Sequence, residues 1–343
     1  MPDDTPQTPA RGLDCGVLSP RLCLAVLSIA LSAAAVSPAV AQRLPFERAI
    51  DVMPGATLDV TTIRGRIDVT IHEARQIRVD GTVTVRVSAG FTGAGDPLVL
   101  ARRVADRPPI EVAGNVVRLR PPANDDELRA LTVAYQVRVP RDTTIIIGTD
   151  SGAVTVDGVK APVTVTTQSS AVTLSRLEGK TEVKTGSGDV HVDRAAGGLR
   201  VVTQSSSITL RALSGPLEAR TQSGAVRASF TGAGSADVET GSSAIQLEGL
   251  SGRTMVRTQS GRVELGGAPT AGWDVTTGSS VIAAAFEPSA KFTLEATSST
   301  SDVHIKGLTV DGSAAKGRVS GAVRGGGPTV RLASRSGQIH IGH

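Results

Sequence analysis

The sequence is 343 residues long, enough for one large or two ordinary domains, with 36 Lys+Arg against 32 Asp+Glu and only two Cys, one Trp, one Tyr and five Phe. Val, Ile, Leu and Ala supply most of the apolar content, which suits β-structure filled with small branched side chains rather than a bulky aromatic core. Basic residues are scattered and do not interleave with aromatics, which argues against a single-stranded nucleic-acid surface and gives no reason to expect nucleic acid as a partner.

Residues 1–41 read as an export signal. Arg21 precedes the apolar run LCLAVLSIALSAAAV, and Ala39-Val40-Ala41 supplies the small-x-small cleavage pattern before Gln42. An uncleaved anchor is the alternative, although the run is short for a span of about 20 residues. Cys15 and Cys23 both fall inside this segment, so the chain beyond it has no thiol, disulfide or Cys-based metal site. The expected location is the periplasm or the cell surface, with no membrane span after cleavage.

Residues 42–148 read as a β-rich N-terminal cap region. QIRVDGTVTVRV, NVVRLRP and LTVAYQVRVP have strand character, and LVLARRVADR (98–107) reads as one short helix halted by Pro108-Pro109. TTIRGRIDV at 61–69 is a degenerate copy of a motif that then dominates the chain.

Residues 149–343 are repetitive. TDSGAV starts at Thr149, and its relatives start at Thr167, Thr185, Thr203, Thr221, Thr240, Thr258 and Thr277, in steps of 18 or 19 residues. The fourth position alternates: Gly152, Ser170, Gly188, Ser206, Gly224, Ser243, Gly261, Ser280. Weaker copies begin at Ser298, Arg318 and Ser334. Apolar residues precede each Thr by two positions and follow it by five, the period-two pattern of short strands, with Gly or Ser permitting a tight bend between them. A unit this small buries too little alone, so stacking is required. The pattern predicts an all-β fold, a single-stranded parallel β-helix of about 18-residue coils, eleven in all with the weaker copies. Glu182, Arg200 and Glu218 should neighbour one another on successive coils, and the inward Thr and Ser of T-x-S should form hydroxyl ladders.

The MPGATLDVTTIRGRIDV opening, the VPRDTTIIIGTDSGAVTV junction and the T-x-S-G-x-V run together resemble a bacterial exported "putative adhesin" β-strand-repeat domain family of unknown function. The resemblance covers roughly residues 45–343. It implies a parallel β-helix outside the cytoplasm and brings no catalytic residue with it.

Chemical sites are weakly signalled. In DVHVD (189–193), Asp189, His191 and Asp193 project from one strand, as Asp302 and His304 would later. Residues two apart on a strand are about 6.7 Å apart, whereas zinc ligands converge to about 2 Å from one ion, so a solvated face is expected. A Ser–His–Asp set around His191 lacks a G-x-S-x-G elbow, and the TGSG and GGG segments lack the P-loop Lys. Trp273 occupies the inward slot of Leu199 and Leu217 and is expected in the core, whereas Phe286 and Phe292 are the better surface aromatics. No catalytic, cofactor or metal site is therefore expected. The chain reads as a non-enzymatic envelope interaction or structural protein that contacts a surface partner or polysaccharide; a polysaccharide-binding or polysaccharide-cleaving β-helix enzyme is the alternative. GQIHIGH, with Ile339 and Ile341 inward, should end the stack uncapped and offer the C-terminal coil for self-association.

Overall fold

The computed structural model describes residues 43–86 and 96–343. The expected export segment, with Cys15 and Cys23, lies outside them. Each 18-residue unit contributes a leading strand that ends on the motif's Thr and a trailing strand that begins five residues later. In the coil of Thr185 these are Thr181–Thr185 and Val190–Ala195. Burial alternates along them: Val183, Thr185, Val190 and Val192 are buried, while Lys184 and His191 are exposed. A strand patterned in this way hides its apolar side only against another sheet. Leading strands accordingly form one sheet and trailing strands a second, with rows of aliphatic side chains between them.

Register is constant along the stack. Thr62, Thr149, Thr167, Thr185, Thr203, Thr221, Thr240, Thr258 and Thr277 are direct partners from coil to coil in parallel pairing. On the trailing side Ile67, Val154, Val172, Val190, Ile208, Val226, Ile245, Val263 and Ile282 do the same. Among the described residues eleven full coils, from that of Thr62 to that of Ser298, place a strand in each sheet, a stack of about 50 Å at ~4.8 Å per coil. One turn is 18 residues, so the doubled period in the sequence is not a larger turn.

That doubled period has a steric cause. A Cβ on Gly188 would lie 1.6 Å from the Ser170 carbonyl oxygen; on Gly224 and Gly261 it would lie 1.7 Å from the Ser206 and Ser243 oxygens. The corner of each Gly coil runs against the corner carbonyl of the Ser coil before it, where only a hydrogen fits. In the Gly coils the Thr hydroxyl accepts the Gly N–H, at 3.1 Å for Thr185–Gly188, 2.9 Å for Thr221–Gly224 and 3.0 Å for Thr258–Gly261. In two of the Ser coils the Ser hydroxyl reaches back instead, Ser243 donating to the Ser223 carbonyl at 2.7 Å and Ser280 to the Ser260 carbonyl, whereas the Ser170 and Ser206 hydroxyls are buried without a partner. The expected continuous hydroxyl ladder does not form. Thr62 and Thr149 are linked at 3.0 Å, but Ser151, Ser187 and Ser205 stand at the outer apex of the bend and are exposed.

Sequence order and stacking order differ at both ends. Val116–Leu119 pairs in parallel with Thr57–Thr62, and Leu131–Val139 with Ile67–Ile71. Later residues thus build a partial coil outside an earlier one, with the helix Asp125–Ala130 at its corner, capped by Asn124. This is a second helix beyond the one the sequence suggested. Gln76–Val85 and Arg43–Asp51 extend the trailing sheet antiparallel, and the helix Pro97–Asp106 buries Leu100, Ala101 and Val104 beside them. The residues expected as a cap therefore contain a full coil, Thr57–Ile71, and the strand ladder runs through 148/149 unbroken.

At the far end, Phe292–Ser298 and Val303–Ile305 form the outermost coil, and the hairpin Asp311–Ala315/Arg318–Val323 runs antiparallel on it. The final strands, Thr329–Ser334 and Ile339–Gly342, return to lie between that coil and the coil of Thr277. Two expectations change. RVSGAV at Arg318 is an antiparallel strand and not a coil corner, because its letters match the motif while its pairing direction is reversed. The C-terminal coil is interior and hydrogen-bonded on both sides, so it offers no open end for self-association; Leu308 and Val310 pack against the core near the true end. The Gly–Ser alternation survives in space: a Cβ added to Gly337 would lie 1.8 Å from the Ser280 carbonyl oxygen.

Candidate functional site

The residues singled out by sequence are dispersed. Asp189 sits at a corner, where its Oδ1 accepts the Ser207 N–H at 3.1 Å. His191 is exposed between Thr173 and Thr209, and Asp193 pairs with Arg194 at 2.9 Å. Trp273 is 2% exposed and donates its indole N–H to the Gly252 carbonyl at 3.1 Å. Phe286 and Phe292, expected at the surface, are 2% and 0% exposed. Phe286 stacks on Trp273 at 5.5 Å and meets Phe292 at 4.2 Å. These three rings fill the core where the chain skips a coil position. A signal for Phe286 existed: it stands nine residues after Thr277, as Phe230 does after Thr221.

The outward rows carry the polar chemistry. Arg200 lies between Glu182 and Glu218, 2.5 Å from Glu218 and 3.9 Å from Glu182, as the spacing predicted. Lys184 adds a 2.7 Å contact to Glu182, and its hydrogen bond holds that carboxyl below the usual range. Arg176 pairs with Asp157 one coil earlier and lowers the Asp157 carboxyl in the same way. Tyr135, in the cap, is pushed up by burial alone. Among the described residues no three of His, Asp and Glu converge closely enough to enclose a metal ion.

Two grooves cross this surface. One, about 570 Å³, follows the corners of the Thr221, Thr240 and Thr258 coils. Gly241 leaves a notch between Gln222 and Gln259, beside the row Arg220–Glu239–Arg257. The other, also about 570 Å³, lies on the trailing sheet near the end of the stack. Its floor is small (Gly266, Ala283, Ala285, Gly342), with Gln246, Glu248 and Glu264 on one side and His304, His340, Lys306 and His343 on the other. Sequence reading missed this site because its two walls come from coils whose order in space differs from their order in the chain. Both grooves carry their lining side chains in rows at the coil spacing.

A family model described as Toastrack DUF4097 matches residues 134–342. No curated protein matches the chain. One solved structure that aligns with it is described as a "putative cell adhesion protein" from Clostridium sporogenes; it is 11% identical, covering 87% of this chain and 99% of that one, with a TM-score of 0.19, too low to establish a shared fold.

Proposed function

The chain belongs to the Toastrack family of domains of unknown function, and from that premise we propose that it is a non-enzymatic interaction protein, exported to the periplasm or cell surface, that holds a cell-envelope partner along its outer faces. Polysaccharide is the partner class that the grooves suit best. The observation behind this reading is the constancy of the coils. From Thr149 to Thr277 every step is 18 or 19 residues, so outward side chains stay in straight rows such as Arg220–Glu239–Arg257. A rigid, ridged face of this kind binds by many repeated polar contacts rather than by enclosing a small substrate.

The test is a binding screen of the purified chain against cell-envelope polysaccharides and envelope extracts, with polymer length measured before and after. Saturable, salt-sensitive binding is expected, weakened by a combined Arg220→Ala and Arg257→Ala change, with polymer length unchanged. Shortening of the polymer would replace this reading with the enzyme alternative. Failure to bind any envelope component would remove it.

A further inference from the structure

His304 and His340 are 36 residues apart in sequence, yet they are direct partners on adjacent parallel strands. Their rings stack at 5.3 Å between centroids with 15° between planes, and both side chains are exposed. His343 lines the same groove, its ring against Gly307, whereas the two remaining described histidines are placed differently. His191 has Thr173 and Thr209 as lateral neighbours, and His72 Nε2 lies 2.6 Å from the Gln76 carbonyl. Two basic groups held side by side gain nothing from each other, but they leave ring nitrogens free for a shared cation.

The chemistry of such a pair is specific. Neutral imidazole is the commonest protein metal ligand and suits Zn²⁺, Ni²⁺ and Cu²⁺. Strands about 4.8 Å apart bring two outward rings close enough for small side-chain rotations to place a nitrogen from each about 2.0–2.1 Å from one ion. The surrounding charge is favourable: Glu264 stands beyond Ala283 in the same outward row, and Glu248 lines the same groove, which together offset Lys306. The pairing also has a structural target. Val303–Ile305 is a three-residue edge strand, bonded on one side only, to Ile339–Gly342.

We propose that His304 and His340 chelate a divalent transition-metal ion on the outer face of the solenoid, fastening the outermost trailing strand to the returning C-terminal strand. Water fills the remaining coordination positions, so affinity follows the order Cu²⁺ > Ni²⁺ > Zn²⁺. Oxygen-seeking Mg²⁺ is not retained. Because the unfolded chain does not hold these two side chains together, binding stabilises the folded coil by mass action.

The experiment uses the full chain without a histidine tag, freed of metal. Separate calorimetric titrations with Cu²⁺, Ni²⁺ and Zn²⁺ should each show one equivalent bound. At about a hundredfold excess over Kd the melting temperature should rise by about 2 °C or more, and amide exchange at residues 303–305 should slow, with no effect of Mg²⁺. His304→Ala and His340→Ala should each abolish both effects while keeping the wild-type circular dichroism spectrum; His191→Ala should keep both effects. Absence of binding by all three transition metals would overturn the proposal, as would binding that persists undiminished in both His304→Ala and His340→Ala.

Discussion

A Gly224→Ser substitution separates the physical account of the corner from its appearance as a motif. Ser stands at the equivalent position of the flanking coils, as Ser206 and Ser243, so by letters alone the change is conservative. In the structure it is not. A Cβ on Gly224 would lie 1.7 Å from the Ser206 carbonyl oxygen, 2.5 Å from its carbon and 2.8 Å from Thr221 Oγ1. Relaxing that carbon–oxygen approach to about 3.3 Å requires a displacement of about 1.6 Å between neighbouring backbones. The contacts that would stretch are Ser223 N–H to the Gln204 carbonyl at 3.0 Å, Gln222 N–H to the same oxygen at 3.2 Å, and Gly224 N–H to Thr221 Oγ1 at 2.9 Å. At about 0.5–1.5 kcal/mol each, the loss of all three costs about 1.5–4.5 kcal/mol. Gly266→Ala is the matched control, since the nearest atom to its new Cβ is 3.9 Å away; it should shift stability by under about 0.5 kcal/mol. Thermal melting followed by circular dichroism, with amide exchange to localise the damage to the Thr203–Thr240 corners, measures both. Equal melting temperatures for Gly224→Ser and wild type would refute the close-approach explanation of the alternation.

Val226, fully buried between Ile208 and Ile245, should not tolerate Lys, which buries an unpaired charge; Arg227→Ala, one residue along on the exposed side, should cost under about 1 kcal/mol, and matching melting temperatures for the pair would contradict the register. Trp273→Ala removes the ring stacked on Phe286 and leaves a cavity, so a loss of about 3–5 kcal/mol is expected in denaturant unfolding, with a near-wild-type value counting against the aromatic cluster as core. Asp157, held below the usual carboxylate range first by its hydrogen bond to Arg176 and also by Ser175, contributes stability that is present above that range and lost as pH falls through its depressed value. The melting-temperature difference between wild type and Asp157→Asn should therefore shrink on acidification; a difference constant from neutral to acidic pH would disprove the assignment.

The coil register was legible in the sequence because Thr and the β-branched residues recur at fixed offsets, and a strand's side chains have only two faces to choose between. The Gly–Ser alternation was equally visible as letters, but its cause was not, since the carbonyl that demands Gly188 belongs to Ser170 in the coil before it. Pairing direction is also absent from local sequence, which is why RVSGAV at Arg318 imitated a corner while lying in an antiparallel strand. The 21-residue step from Thr277 to Ser298, longer than the usual 18 or 19, was the trace of the skipped position, although nothing in it indicated that Thr329–Ser334 would return to fill the gap. The same return sets His340 beside His304, so that groove follows from topology and not from any motif.

The return of the last strands changes how the molecule bears load. In an ordinary solenoid the chain end is also the stack end, and tension applied there peels one coil at a time, breaking each hydrogen bond in turn. Here the terminal strands Thr329–Ser334 and Ile339–Gly342 are each bonded along both edges, to neighbours that precede them in sequence. Pulling on the C-terminus loads both ladders of Ile339–Gly342 together, so the force is shared between two edges rather than concentrated at a single opening fork. Fraying of the outermost coil, conversely, leaves the C-terminus anchored. The stack is fastened at this end much as a strap is secured by tucking its tail beneath the preceding turn.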